Sequence, residues 1–309
     1  MTPYDSPADW IRNGFAHKVK SADDIMRAIG RVGTLQVGRR YVWRGVANCQ
    51  WRLQSSLLRD LILKGTPGSL IAEDDVRLRE LALIRAARSW GICKELGAAA
   101  TDLQVLATLQ HHGAPTRLLD VTSNPMTALW FACERTTSSR DTSGALMAFD
   151  VTGLDVLATA AHELPATWGT VKDPLGWHLE NALSISYEKA VPFLVRPSYP
   201  DQRMVAQEGL FLTGAVPDGL NARGIDGLPL DQADAPGSKA LNALFAPESR
   251  KAGRPKKLPF VVLVIPAALK RKLLPHLEST YNRSYRQLFP DIAGFVTALR
   301  AGNLNLDSH

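Results

Sequence analysis

Residues 109–135 constrain the fold more tightly than any other stretch of the chain. They read Leu109-Gln-His-His-Gly-Ala-Pro-Thr-Arg-Leu-Leu-Asp-Val-Thr-Ser-Asn-Pro-Met-Thr-Ala-Leu-Trp-Phe-Ala-Cys-Glu-Arg135. Asp102 can cap a helix over 103–112, with Leu103, Leu106 and Ala107 turned inward, and Gly113 and Pro115 end it. Residues 116–122 then form a short buried strand carrying Arg117 and Asp120, opposite charges close enough to neutralise each other. Asn124 caps a second helix with Pro125 at its first position, and Met126, Leu129, Trp130 and Cys133 make its inner face. Such a helix–turn–strand–helix puts polar groups at every junction. It builds either a site or a closely punctuated core, and this stretch alone leaves both open.

Earlier in the chain, Ser21 and Asp24 open a helix with Ile25, Ala28 and Ile29 on its apolar face. Residues 40–45 read as a strand ending at Gly45, a residue that frees the backbone for a turn or a close approach to a ligand. Arg44 at that strand end suits an anion, because a guanidinium grips a phosphate in two places; pairing with a rim carboxylate is the alternative. A helix is expected over 73–96, with Leu83, Ile84, Ala87 and Trp90 in the core. Residues 144–151, 182–187, 203–213 (interrupted at Gly209) and 258–265 read as strands. A closing helix over 290–299 presents Ile292, Phe295, Val296 and Leu299 as its apolar face. Between residues 214 and 257 Gly, Pro, Asp and Ala dominate, which predicts a long, mobile insertion. It ends in a basic run, Arg250, Lys251, Arg254, Lys256 and Lys257, whose Gly-Arg-Pro core is similar to a minor-groove-binding hook; a solvated basic loop is the alternative.

Several functional classes lack support. No P-loop, no Gly-x-Gly-x-x-Gly after a strand and no Gly-x-Ser-x-Gly elbow occur. Cys49, Cys93 and Cys133 have no zinc-like or disulfide spacing, which fits a reducing cytoplasm, and no apolar leader or spanning run suggests a membrane. His111 and His112 are adjacent, so they point about 100° apart and make a poor metal pair. A net charge of +6 and a pI near 9.3 favour nucleic acid or another polyanion as partner.

Three segments carry a resemblance: Tyr41-Val-Trp-Arg-Gly45, the Trp51-x-Leu-x-x-Ser-Leu-x-Arg59 run, and the long motif from Leu109 to Ala132. They look like the FRG domain, a family named for an aromatic-Arg-Gly signature, here Trp43-Arg44-Gly45. Gln207-x-Gly209-x-Phe211 and Leu288-Phe-Pro-Asp-x-x-Gly294 look like its later motifs, so the domain is expected over 35–300, with a helical extension at 1–34 and a tail at 301–309. Trp43 replaces the usual Phe or Tyr, and Val121 stands where Trp is common.

The motif order resembles the ADP-ribosyltransferase fold, which implies an α+β domain with a split β-sheet core and surrounding helices. The activity it implies is NAD-dependent ADP-ribosyl transfer without a metal; the basic balance and the 250–257 run add nucleic acid as the expected target, in a toxin or anti-phage defence effector with a neutralising antitoxin protein as partner. Carried over by position, Arg44 binds the NAD diphosphate or adjoining ribose, and the Gly45 backbone lies near the nicotinamide amide. Thr122 and Ser123 hold the site beside the nicotinamide ribose, His111 is a further candidate to face the ligand, and Glu208, with Gln207 as the alternative, orients the ribose hydroxyl or the nucleophile. Arg44, Thr122 and Glu208 are thus the expected catalytic set. A non-catalytic nucleic-acid-binding module, with Arg44, Arg117 and the basic run on phosphates, and an NAD glycohydrolase are the rival expectations.

Overall fold

The computed structural model describes residues 14–66, 69–92, 100–134, 141–159, 177–198, 200–217, 224–230, 235–246, 255 and 257–300. In chain order these contain β1 (Ala16–Lys18), α1 (Ala22–Gly33), β2 (Tyr41–Val46), α2 (Ser56–Lys64), α3 (Glu73–Ser89) and α4 (Asp102–His111). Then come β3 (Leu119–Thr122), α5 (Pro125–Cys133), β4 (Gly144–Asp150), β5 (Val156–Ala158), α6 (Trp177–Lys189), β6 (Phe193–Arg196) and α7 (Gln202–Ala206). The chain closes with β7 (Gly209–Thr213), α8 (Gly237–Phe245), β8 (Phe260–Ile265), α9 (Ala267–Ser279), α10 (Tyr285–Leu288) and α11 (Ile292–Arg300). The caps follow the side chains that can make them: Ser21, Ser55, Thr101 and Asn124 each accept a backbone N–H of the helix they open.

All eight strands lie in one mixed sheet, in the order β1-β8-β4-β2-β3-β7-β6-β5. β1 with β8 and β5 with β6 are parallel, and the other pairs are antiparallel. The two halves meet at β2 and β3 through a single register pair, Trp43 with Thr122. On either side the ladders are longer: β2 pairs β4 from Tyr41 to Val46, and β3 pairs β7 from Leu119 to Thr122. The sheet is continuous, yet nearly parted at its centre.

β4 shows how the core is divided. Leu146 and Ala148 join α1, α5, α8 and α9 on one face, while Ala145, Met147 and Phe149 join Val42, Val262 and Leu212 on the other. A third cluster seats α3, α4 and α6 on Phe193, Val195 and Phe211. Gly45 and Gly144 let α5 lie directly on the strands, since a Cβ on them would stand 1.7 Å from the Ala128 oxygen and 2.0 Å from the Ala132 oxygen. Gly45 is therefore a packing glycine inside β2, which runs on to Val46, and not the strand-ending turn expected from sequence.

Other expectations are corrected too. Residues 182–187 lie within α6, where Leu179, Ala182, Leu183 and Ser186 recur at helical spacing as its buried face. The stretch 203–213 is not an interrupted strand: α7 occupies its first part and β7 starts at Gly209. Trp90 is 85% exposed, and the buried face of α3 is instead Glu73, Val76, Glu80, Ile84 and Ala87. α11 buries its small residues Gly294 and Ala298, leaving Ile292 and Phe295 outside. Part of the expected mobile insertion is packed: Ile225, Leu228, Leu241, Leu244 and Phe245 are core residues. Arg250, Lys251, Arg254 and Lys256 lie outside the described residues, as does Cys93. Among the described residues, no helix is long and apolar enough to cross a membrane.

Candidate ligand cleft

Where β2 and β3 part, a cleft of about 220 Å³ opens. Its lining includes Arg44 and Gly45 of β2, Gln110 and His111 of α4, Asp120 and Thr122 of β3, Arg203 of α7, and Gln207. Phe131, Met204 and Phe211 supply apolar wall. The expected Arg44, Gly45, His111, Thr122 and Gln207 thus share one cavity; Ser123 and Glu208 are not among its lining residues.

The Arg44 guanidinium crosses the gap and donates to the Asp120 carbonyl at 2.5 Å. Among the described residues it has no carboxylate at ion-pair distance, so burial is the leading influence and lowers its affinity for its proton; the Asp120 charge opposes this and Arg59 adds to it. A desolvated guanidinium with one carbonyl partner keeps donors free for an incoming anion.

Arg117 has the opposite environment. Its Nη1 donates to Glu73 at 2.9 Å and its Nε to Glu80 at 2.7 Å, with all three side chains buried. The two carboxylates raise the Arg117 proton affinity despite the burial. The expected neutralisation by Asp120 does not occur; the Asp120 carboxylate takes a hydrogen bond from the Gln110 amide at 3.0 Å. Arg117, just before β3, pins that strand to α3; it is buried and is not among the residues lining the cleft. The described cysteines are equally unsuited to chemistry, since burial pushes the Cys133 thiol up to about 12 and raises that of Cys49.

Thr122, Gln207 and Glu208 form the joint between β3, α5 and β7. The Thr122 hydroxyl donates to the Gln207 carbonyl at 2.7 Å and accepts the Asn124 N–H at 3.0 Å, so it is committed to the frame. The Gln207 amide donates to the Leu288 carbonyl at 2.9 Å. Glu208 adopts a left-handed backbone (φ 51°), and its carbonyl accepts the Ser123 N–H. Its carboxylate receives Asn124 Nδ2 at 2.7 Å and an Arg283 guanidinium N–H at 3.0 Å. This anchors the carboxylate beside the cleft rather than in its wall.

His111 is the only one of the adjacent histidines in the wall; His112 is exposed, with its ring edge-on to His111 at 4.9 Å. Gln110 and Arg203 escaped the sequence reading. Gln110 carries no motif of its own beyond its place before the histidines, and Arg203 was placed on a strand. Among the described residues, no group of three His, Cys, Asp or Glu side chains gathers as a metal site.

A mixed sheet nearly split at its middle, with helices on both faces and an arginine-bearing cleft at the split, defines an α/β protein. Residues 39–141, about a third of the chain, match the FRG domain family. That match spans β2 through α5, including Arg44, His111 and Asp120, and ends before Arg203 and Gln207. No curated protein and no solved structure matches the chain.

Proposed function

We propose that the cleft binds NAD and that the protein is an NAD-dependent ADP-ribosyltransferase acting on nucleic acid. The observation that carries this reading is the register across three adjacent strands. Trp43 stands opposite Thr122, and Thr122 opposite Gly209, so Arg44, Thr122 and the Gln207–Glu208 turn meet at one level of the sheet. An arginine on an early strand, a threonine before a helix and an acidic residue beside a late strand at one level support the ADP-ribosyltransferase-like reading. In this reading Arg44 holds the diphosphate, and the apolar wall of Phe131 and Phe211 accepts the flat nicotinamide. Scission of the nicotinamide–ribose bond develops oxocarbenium charge, which a fixed carboxylate stabilises. Glu208, just before β7 and beside the cleft, is the expected carboxylate for that role, and Asp120 is the rival in the wall. The net charge of +6 favours a polyanionic acceptor.

The test is incubation with NAD labelled on its adenylate phosphate, together with DNA or RNA, while free nicotinamide is measured in parallel. Label on nucleic acid, lost in Arg44→Ala, supports the reading. Nicotinamide release without label in any acceptor points to hydrolysis instead. Glu208→Gln and Asp120→Asn compared side by side identify the working carboxylate. Neither label transfer nor nicotinamide release from the wild-type protein overturns the proposal.

A further inference from the structure

We propose that His111 is the general base that activates the acceptor in the cleft, with Asp201 as its positioning residue. This rests on the transferase reading above. His111 Nδ1 lies 2.9 Å from Asp201 Oδ2. A carboxylate only accepts, so the proton of the neutral imidazole sits on Nδ1 and the Nε2 lone pair is left free. The carboxylate is itself fixed. Its other oxygen, Oδ1, caps α7 by accepting the Met204 N–H at 2.8 Å. One aspartate therefore closes a helix and sets the tautomer of a histidine in the cleft wall. A histidine oriented by a second group is the arrangement that general-base catalysis requires.

The other charged groups in contact with His111 or sharing its cleft are His112 at its ring edge, Arg203 on α7, Asp120 on β3 and Arg44 on β2. Arg203 lies over the Phe289 ring at 4.5 Å, which directs its charge toward that face. In the step, Nε2 takes the proton of an acceptor N–H or O–H. The acceptor atom forms a bond to ribose C1, the C1–nitrogen bond breaks, and its electron pair neutralises the pyridinium, which leaves as nicotinamide. The imidazolium then gives its proton to solvent.

The test compares wild type, His111→Gln and Asp201→Asn for transfer rate against pH at saturating NAD and acceptor, and for ADP-ribose affinity. Asparagine is as good a helix cap as aspartate, so Asp201→Asn keeps α7 closed while removing the charge that sets the tautomer. The wild-type rate should rise with pH along a limb set by one imidazole. His111→Gln should lose that limb and about 100-fold in kcat, within the range for a general base, with ADP-ribose affinity unchanged. Asp201→Asn should lose roughly 10-fold in kcat for want of the correct tautomer. A merely structural role would alter affinity and leave the limb in place. His111→Gln with wild-type kcat and pH profile overturns the dyad alone, whereas a wild-type protein that releases no nicotinamide overturns the transferase reading and this role with it.

Discussion

Replacing Arg117 with methionine should be among the most damaging single changes in the described fold, and the damage should depend on pH. Arg117 is 4% exposed, Glu73 5% and Glu80 0%. Glu73 keeps other partners when the guanidinium goes, because Arg77 Nε donates to it at 3.0 Å and the Val216 N–H at 2.7 Å. Glu80 is different: its hydrogen bond comes from Arg117 Nε, the Nη2 of the same guanidinium lies at ion-pair distance, and among the described residues its Oε1 has no partner. Removing one member of a buried ion pair costs roughly 3–5 kcal/mol, since the other charge is left uncompensated. At about 2 °C per kcal/mol for a chain of this size, the melting temperature should fall by about 6–10 °C.

The sign of the pH effect follows from Glu80. Burial raises its carboxyl in the native protein, with Arg117 opposing, so the folded state binds that proton more readily than the unfolded chain. Its contribution to stability therefore declines as pH rises above the ordinary 4.5, the reverse of an exposed, paired carboxylate. Without Arg117 the opposition is gone and the rise is larger. The deficit of Arg117→Met should consequently be greater at pH 8 than at pH 5. Urea unfolding of both proteins at the two pH values is the assay. A loss below about 1 kcal/mol, or one of equal size at both pH values, would refute the reasoning.

Other changes have equally definite outcomes. Arg44→Gln should leave the melting temperature unchanged or slightly higher, because it removes a desolvated cation with no carboxylate partner; a fall like that of Arg117→Met would show that Arg44 is structural. Gly45→Ala should cost about 3 kcal/mol or more by overpacking, since backbone atoms of α5 must retreat. Gly209→Ala should cost less, since its Cβ meets only the flexible Met204 side chain at 2.8 Å, and paired urea titrations would rank the two. Burial depresses the His17 imidazole, so its contribution is present above the ordinary 6.5 and lost as pH falls through the lower folded value. His17→Phe, which keeps the ring contact with Phe245, should flatten the stability profile on the acid side of pH 6.5; an unchanged profile would assign that dependence elsewhere.

The parts of the site that sequence revealed are those fixed by local chemistry. The Asn124–Pro125 cap, the strand bearing Arg44 and the histidines at the end of α4 all follow from neighbours a few residues away. The role of Arg117 is beyond local sequence because its partners lie 37 and 44 positions earlier, about two turns apart on one face of α3. An apolar stripe shows that a helix has two faces but not which one finds a neighbour. In α11 the small residues pack, and a Cβ on Gly294 would stand 2.5 Å from the Phe289 oxygen. Residues 182–187 alternate and also fit a helical period, and the burial of Leu179 before them and Ser186 within them decides for the helix. Gln110 and Arg203 reach the cleft only through the packing of α4 and α7 against it.

Calorimetric titration of the protein with ADP-ribose, wild type against Arg44→Gln, tests whether the cleft is a diphosphate site. If the cleft holds a diphosphate through Arg44, wild type binds, and the variant binds at least about 10-fold more weakly, the loss expected for one charge-assisted hydrogen bond of 1.5–3 kcal/mol. Equal affinities in the two proteins, or no binding by a folded wild type, would contradict it.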